Sequence, residues 1–355
     1  MSNAAPSPTL PRPNLERLRA TLDELLAIDS PTGYTADMEA EMRKRLAGFD
    51  VQVDTGHRGN VLATLGQGEP RRALAAHLDT LGAMVQQIRP NGRLELTPLG
   101  TWSARFAEGA RATVVTTGGH IRGTVLPLLS SGHAYNDDVD TQPVSWSQVE
   151  LRLDLPTNSS AESQAAGIQP GDIVTIDPQP EFLSNGYLVS RFLDNKAAIA
   201  CVLEMLYLMQ EHGLQAAIPT CLAFTNAEEV GQGAGNCLPR TVTDLVSVDI
   251  APVAPNQSST EHHATLGFKD QSGPHHRGLL ETLETLAQRH DIPTVRDVFR
   301  HYHSDCSSIQ KAGYDTRTAL LGFGTDSTHG YERTHMDSLV AVTRLMLAWT
   351  VTPQD

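Results

Sequence analysis

A chain of 355 residues that is 40% hydrophobic and 19% charged can bury a sizeable core, is too apolar to be disordered, and has the length of about two domains. Its formal net charge of −14, with no long basic run, excludes a nucleic-acid-binding footprint. The charge does not specify the sign of a substrate, because bound divalent ions would reverse the local field. The four cysteines, Cys201, Cys221, Cys237 and Cys306, have no CxxC spacing, which excludes a thioredoxin motif and gives no sign of a structural zinc site. Scattered free thiols fit a reducing compartment. The first residues, MSNAAPSPTLPRPN, read as a short flexible arm without the basic and apolar regions of a secretory signal. No segment approaches the roughly 18 uncharged apolar residues of a membrane span. A cytoplasmic enzyme that does not enter the membrane is expected.

Taken in chain order, Leu15, Leu18, Leu22, Leu25 and Leu26 recur at helical spacing, predicting an amphipathic helix over 14–28. Ser30-Pro31-Thr32-Gly33 interrupts it, and a second helix is expected over 35–48. Strand-like runs follow at 51–53, 61–65 and 73–77. From about residue 86 to 188 the chain turns to short strand-like runs rich in Gly and Pro, which predicts an inserted β-barrel-like domain. Its polar stretch 132–144 carries Asp137, Asp138 and Asp140 but lacks the Gly and distal Glu of a calcium loop, so it reads as a solvated loop. After 190 a helix over 194–211, strands over 219–224 and 245–248, a helix over 278–290, strands over 295–299 and 318–321 and a closing helix over 336–350 restore an α/β rhythm. The expected fold is an α/β domain formed by residues 1–85 and 189–355, its mixed, mostly parallel sheet flanked by helices. Residues 86–188 form the insert.

The chemistry-bearing motifs lie outside the insert, at strand ends, where open α/β sheets place ligands. His77-Leu78-Asp79 pairs a candidate metal ligand with a carboxylate that can hold its second ring N–H. Asp194 precedes a long helix and can be its N-cap or a carboxylate bridging two ions. Glu228 and Glu229 end a buried strand; adjacent carboxylates there are costly unless a cation joins them, and one can bind metal while the other acts as base. Gly231, Gly233 and Gly235 allow tight turning beside them. Asp249 ends another strand, where a turn role competes with a ligand role. The segment GTDSTHGYERTHMDS offers His329 and His335, and FRHYHSDCSS offers Asp305, either a helix N-cap or a substrate contact.

The succession AAHLDTLGAMV, SRFLDNKAAIA, FTNAEEVGQGAG, VSVDIAP and YERTHMDSL resembles the tetrahedral, or glutamyl, aminopeptidases, a family of cocatalytic metallopeptidases. SPTGYT and the insert's LRLDLPTNSSAESQAAGIQPGDIV are also similar, so the resemblance spans nearly the whole chain. It implies that His77 and Asp249 complete one metal site, that Glu229 and His335 complete the other, and that Asp194 bridges them. It further implies that Glu228 is the catalytic base and that Asp79 orients His77. Two divalent ions per chain are expected, zinc first, with cobalt or manganese suiting the same N/O ligands. His329 and Asp305 are candidate substrate contacts, and His329 competes with His335 as the last ligand. The resemblance makes the insert a dimerisation domain within a homo-oligomer, dimer-based and up to a dodecamer. Thr80-Leu81 and Asn195-Lys196 depart from the usual pattern, which marks a divergent member. The expected function is removal of N-terminal residues from short peptides. The alternatives are a metal-dependent deacylase or amidase on a small N-acylated amino acid or dipeptide, and a non-catalytic scaffold.

Overall fold

The computed structural model describes residues 10–353, so most of the expected N-terminal arm lies outside the described residues. Within its last part Leu10 is buried, and the Asn14 side chain accepts the backbone N–H groups of Glu16 and Arg17 to cap the first helix. That helix, α1 (Leu15–Leu26), buries Leu18, Leu22, Leu25 and Leu26 and leaves Leu15 exposed. Helix α2 (Ala36–Leu46) and strands β1 (Gln52–Thr55), β2 (Val61–Leu65) and β3 (Arg72–His77) follow.

The chain then enters the barrel. Strands β4 (Gly82–Ile88), β5 (Leu94–Leu99), β6 (Arg111–Thr116), β7 (Gly119–Pro127), β8 (Val149–Leu153) and β9 (Ile173–Ile176) close in the order β4-β5-β8-β7-β6-β9. Val85, Leu94, Leu96, Val114, Val125, Leu151 and Val174 fill its interior. The first barrel strand begins at Gly82, a few residues ahead of the composition change near residue 86. The polar stretch after β7 is two single-turn helices, α3 (Gly132–Tyr135) and α4 (Asp138–Thr141), neither of which buries a residue. Helix α5 (Ser160–Ala165) precedes β9.

Strands β10 (Glu181–Phe182) and β11 (Tyr187–Ser190) return to the main domain. It continues with α6 (Leu193–Glu211), β12 (Thr220–Thr225), β13 (Asp244–Val253), β14 (Ala264–Lys269), α7 (Arg277–Arg289) and β15 (Thr294–Val298). Helix α8 (Asp305–Lys311), strands β16 (Arg317–Asp326) and β17 (Glu332–His335) and helix α9 (Met336–Val351) complete it. Among the described residues the sheet has eleven strands, ordered β1-β2-β12-β3-β13-β16-β17-β11-β10, with β14 joined to β16 and β15 to β14. The expectation of a mostly parallel sheet is corrected here. The central strands β12, β3, β13 and β16 are parallel, but β1, β2, β14, β17, β11 and β10 join through antiparallel pairs. The links β1–β2, β10–β11 and β16–β17 are short loops, too short for the crossover that a parallel pair needs.

Alternation along β3 sets the two faces. Leu74 and Ala76 pack with α1, α6 and α9, while Ala73 and Ala75 pack with Cys221, Leu238, Cys306 and Ile309 on the opposite side. Helix α6 is apolar nearly all round, as a helix enclosed by neighbours must be.

Charged groups are enclosed with it, among them Glu204, which pairs with Arg17, and Lys196. Lys196 is 1% exposed, and its ammonium donates to the Ile28 carbonyl. Burial pushes this ammonium down to about 7. In the unfolded chain it would titrate near 10.4, so between these values the unfolded state binds the extra proton and stability rises with pH. The penalty is complete below the folded value and absent above the unfolded one. Lys196→Met is therefore expected to gain more stability at pH 6 than at pH 10, by up to about 4 kcal/mol. Urea midpoints of parent and variant at both pH values check this; an equal change at both would refute it.

Candidate metal centre

Because β3, β12 and β13 run parallel, their C-terminal ends open on one edge of the sheet. His77 is the last residue of β3. Glu228 and Glu229 follow β12 in a single 3-10 turn, and Asp249 lies on β13. Asp194 stands at the start of α6, where it and Asn195 are non-helical, and His329 is carried by the β16–β17 loop. These side chains share a cleft of about 830 Å³, lined also by Thr101, Gln271, His301, Tyr302, His303 and Lys311.

The donor atoms fall into two groups that share one carboxylate. His77 Nε2 is 3.0 Å from Asp194 Oδ1 and 3.9 Å from both Asp249 Oδ1 and Glu228 Oε2. On the other side, His329 Nε2 is 3.5 Å from Asp194 Oδ2 and 3.8 Å from Glu229 Oε2. Both imidazoles are held from behind by main-chain carbonyls. His77 Nδ1 is 2.8 Å from the Asp79 carbonyl, and His329 Nδ1 is 2.7 Å from that of Thr101. Such contacts fix the tautomer that turns an Nε2 lone pair inward. Glu229 Oε1 is buried and has no hydrogen-bond partner.

The electrostatics call for a cation. Burial pushes Glu228 and Asp249 well above the carboxylate range and Glu229 up to about 8, with neighbouring carboxylates adding to the effect. Burial opposes charging of His77 and His329 as well, but contact with Asp194 and nearby acids raises both well above the ordinary histidine value. Asp194 is held low against its own burial by the two imidazoles. Three crowded carboxylates and two imidazoles thus hold protons that divalent ions would displace. The donors and geometry fit a paired divalent site.

A model of the M42 glutamyl aminopeptidase family matches residues 59–345. The chain belongs to that family. It is 33% identical over 335 residues to YhfE of Bacillus subtilis (strain 168), a protein named as a candidate aminopeptidase, covering 94% of this chain and 96% of that one. It is 25% identical over 240 residues to the glutamyl aminopeptidase of Lactococcus lactis subsp. cremoris (strain MG1363), covering 65% of each. Among solved structures, the TET aminopeptidase of Thaumarchaeota archaeon SCGC AB-539-E09 superposes with a TM-score of 0.85 at 18% identity, over 95% of this chain and 96% of that one. Pyrococcus horikoshii TET1, described as assembling into a tetrahedron or a large octahedral shell, gives 0.82 at 20% identity, over 94% and 99%. The M42 chain is a peptide-bond hydrolase of a metal-dependent family.

Within this M42 chain, the structure brings His77, Asp194, Glu228, Glu229 and Asp249 together, but not His335. That residue ends β17, with its Nε2 on the Asn185 carbonyl, 2.9 Å away, and its ring against Tyr187 and His262. His329 stands among the donors instead. The five intervening residues include the start of β17, which carries the chain away from the cleft. Asp305 is corrected as well. It is neither an N-cap, a role filled by Ser304, nor a cleft residue. Buried, it accepts from Thr225 Oγ1 and the Ala234 N–H and braces the turn from behind. Gly233 (φ +34°) is required there, because a Cβ would lie 1.9 Å from Asp305 Oδ1. Asp194 caps no helix through its side chain.

Asp79 orients His77 through its carbonyl, whereas its carboxylate is 3.8 Å from the ring nitrogen. That carboxylate accepts instead from Thr32 Oγ1 at 2.6 Å and from the N–H groups of Glu228 and Glu229 at 3.1 and 3.3 Å. It therefore holds the two-glutamate turn. Asp79→Asn turns a donor toward groups that are themselves donors. It is expected to weaken metal binding about 10–100-fold, measured by metal titration calorimetry, with the fold retained. An unchanged affinity would assign the carboxylate to folding alone.

Sequence reasoning missed Thr101, whose carbonyl comes from the barrel, and Glu332. The carboxylate of Glu332 accepts the N–H groups of Asp194 and His329, each at 3.0 Å. A carboxylate three residues after His329 was the available signal. No helix among the described residues is long and apolar enough to cross a membrane.

Proposed function

We propose that this chain is a dinuclear aminopeptidase that removes N-terminal residues from short peptides. The observation that carries the reading is Asp194, whose two carboxylate oxygens face separate His-carboxylate groups. In this reading His77 and Asp249 would hold one divalent ion and Glu229 and His329 the other, with Asp194 presenting one oxygen to each group. Zinc, cobalt and manganese all suit these ligands. When bound, such a pair supplies Lewis-acid polarisation of the scissile carbonyl and lowers the pKa of water. Glu228 accepts the proton of the attacking water and delivers it to the leaving amine. Burial, with the nearby Asp249 and Glu229 carboxylates adding to it, raises its proton affinity, which favours uptake of that proton. The barrel would serve as the dimerisation surface of a cytoplasmic homo-oligomer, in the manner of the tetrahedral assemblies formed by the TET1 relative.

The test is chelation followed by metal reloading, with aminoacyl p-nitroanilides assayed beside their N-acetylated forms and N-acetyl amino acids. Hydrolysis that requires both metal and a free amine is expected. Preference for the blocked substrates would replace the aminopeptidase with the deacylase reading, and no hydrolysis of either would leave the scaffold. Light scattering tests the assembly, where a monomer contradicts the oligomer.

A pH dependence follows. The cluster must release protons to take up metal, Glu229 near pH 8 among them. Metal affinity is therefore expected to rise with pH up to about 8, roughly tenfold per pH unit for each proton released. Titrations at pH 6 and 8 in buffers of different ionisation enthalpy measure it. Equal affinities at both would show that the ligands are already deprotonated.

A further inference from the structure

The residue that the cleft leaves out belongs to a second cluster. His335 at the end of β17, Asp337 in the first turn of α9 and His262 in the loop before β14 bring three donor atoms within 4.8 Å of one another. His262 Nδ1 is 3.1 Å and His335 Nδ1 is 3.2 Å from the same Asp337 Oδ2. Bonds of about 2.0 Å to one tetrahedral ion place its ligands about 3.3 Å apart, so these contacts have the spacing of a coordination edge.

The outer nitrogens carry the rest of the argument. His335 Nε2 meets the Asn185 carbonyl at 2.9 Å, which takes its N–H and leaves a lone pair on Nδ1. His262 Nε2 faces the Tyr187 hydroxyl at 3.4 Å. Both rings therefore have the back-side oxygen partner typical of metal-bound imidazoles, and their inner nitrogens converge on a carboxylate. Tyr187 packs edge-on against both rings at centroid distances of 5.9 and 4.9 Å. Gly186 (φ +93°) makes the close approach possible, since a Cβ there would lie 2.5 Å from His335 Nε2. His335 Nδ1 also accepts the Asp337 N–H at 3.1 Å as a helix cap, a contact that an ion would displace.

We infer that His262, His335 and Asp337 form a separate binding site for one divalent transition ion, with water completing the coordination. Two imidazoles and one carboxylate select zinc, nickel or copper over magnesium or calcium. The ion would clip the β14 approach to the β17–α9 junction. That junction adjoins Glu332, which holds Asp194 and His329 in the cleft.

The experiment counts zinc bound per chain after dialysis against a fixed free concentration, in the full-length protein and in His262→Ala and Asp337→Asn. Each variant is expected to lose about one equivalent while keeping the ions of the cleft, with an unchanged circular dichroism spectrum. A doubly substituted chain, Asp194→Ala with His262→Ala, separates this site from the cleft. The Asp194→Ala chain alone should keep about one equivalent, and the double variant none. Magnesium in place of zinc should not bind to the Asp194→Ala chain. Equal zinc content in parent and His262→Ala would overturn the inference and leave the cluster as a hydrogen-bonded helix cap. If the cleft binds no metal at all, the proposed function fails, but the difference between parent and His262→Ala still decides this site.

Discussion

Glu228→Gln is expected to lower kcat by about 10²–10⁴-fold while leaving the metal content unchanged. That loss corresponds to roughly 3–5 kcal/mol of barrier. The argument is geometric before it is electrostatic. Glu228 and Glu229 are neighbours in sequence, yet the turn aims them differently. Glu229 points to the Asp194–His329 side, while Glu228 Oε2 lies on the His77 side, 3.9 Å from Nε2, the same distance as Asp249. The turn that divides them begins at Ala227, held at φ +62°, a left-handed conformation uncommon outside glycine. It is fastened by the Asp79 carboxylate in front and by Asp305 behind. Glutamine keeps the shape and removes the base, so binding should persist while proton transfer fails. Glu229→Gln supplies the contrast, with weaker metal binding and a fall in turnover that added metal partly restores. Retained turnover in Glu228→Gln would remove the base assignment. Loss of metal in that variant would make Glu228 a ligand.

Much of this arrangement was legible in the sequence, for identifiable reasons. Apolar strands that end abruptly in a carboxylate or a histidine gave His77, Glu228, Glu229 and Asp249, because a strand end fixes position without knowledge of the fold. The central strand order could not be read, because hydrophobic runs such as Ala73–Ala76 and Leu222–Phe224 have no directional signature. The parallel core was overextended for that reason, and the antiparallel flanks had to be seen. Asp194 was legible as important but ambiguous in role, since a residue before a long helix satisfies capping and bridging statistics alike. Thr101 was invisible because a carbonyl donated by the barrel carries no side-chain signature. Asp305 was misread because Ser304 and Asp305 are both cap-forming residues, and only packing shows which one faces the helix.

His329→Ala is expected to lose about one metal equivalent and to lower turnover by about 10²-fold or more, while His335→Ala retains most of it. The reasoning rests on what each imidazole faces. His329 Nε2 meets Asp194 and Glu229 within 3.5 and 3.8 Å, and its Nδ1 is fixed by Thr101. His335 contacts Asn185, Asp337, Tyr187 and His262, none of which lines the cleft. Removing His329 leaves Glu229, whose Oε1 already lacks a partner, with no imidazole opposite it. The second ion would then have only the Asp194 and Glu229 carboxylates, too few ligands to keep it bound. The fold should survive, because His329 lies on a loop at φ +62° and is half-buried, with no part in the apolar core. Aminoacyl p-nitroanilide turnover of the two variants side by side gives the answer, since His335→Ala would itself lose the ion of the separate site inferred above. Should His335→Ala be the inactive one, the β16–β17 loop must rearrange on metal binding, and the assignment of the last ligand would pass back to His335.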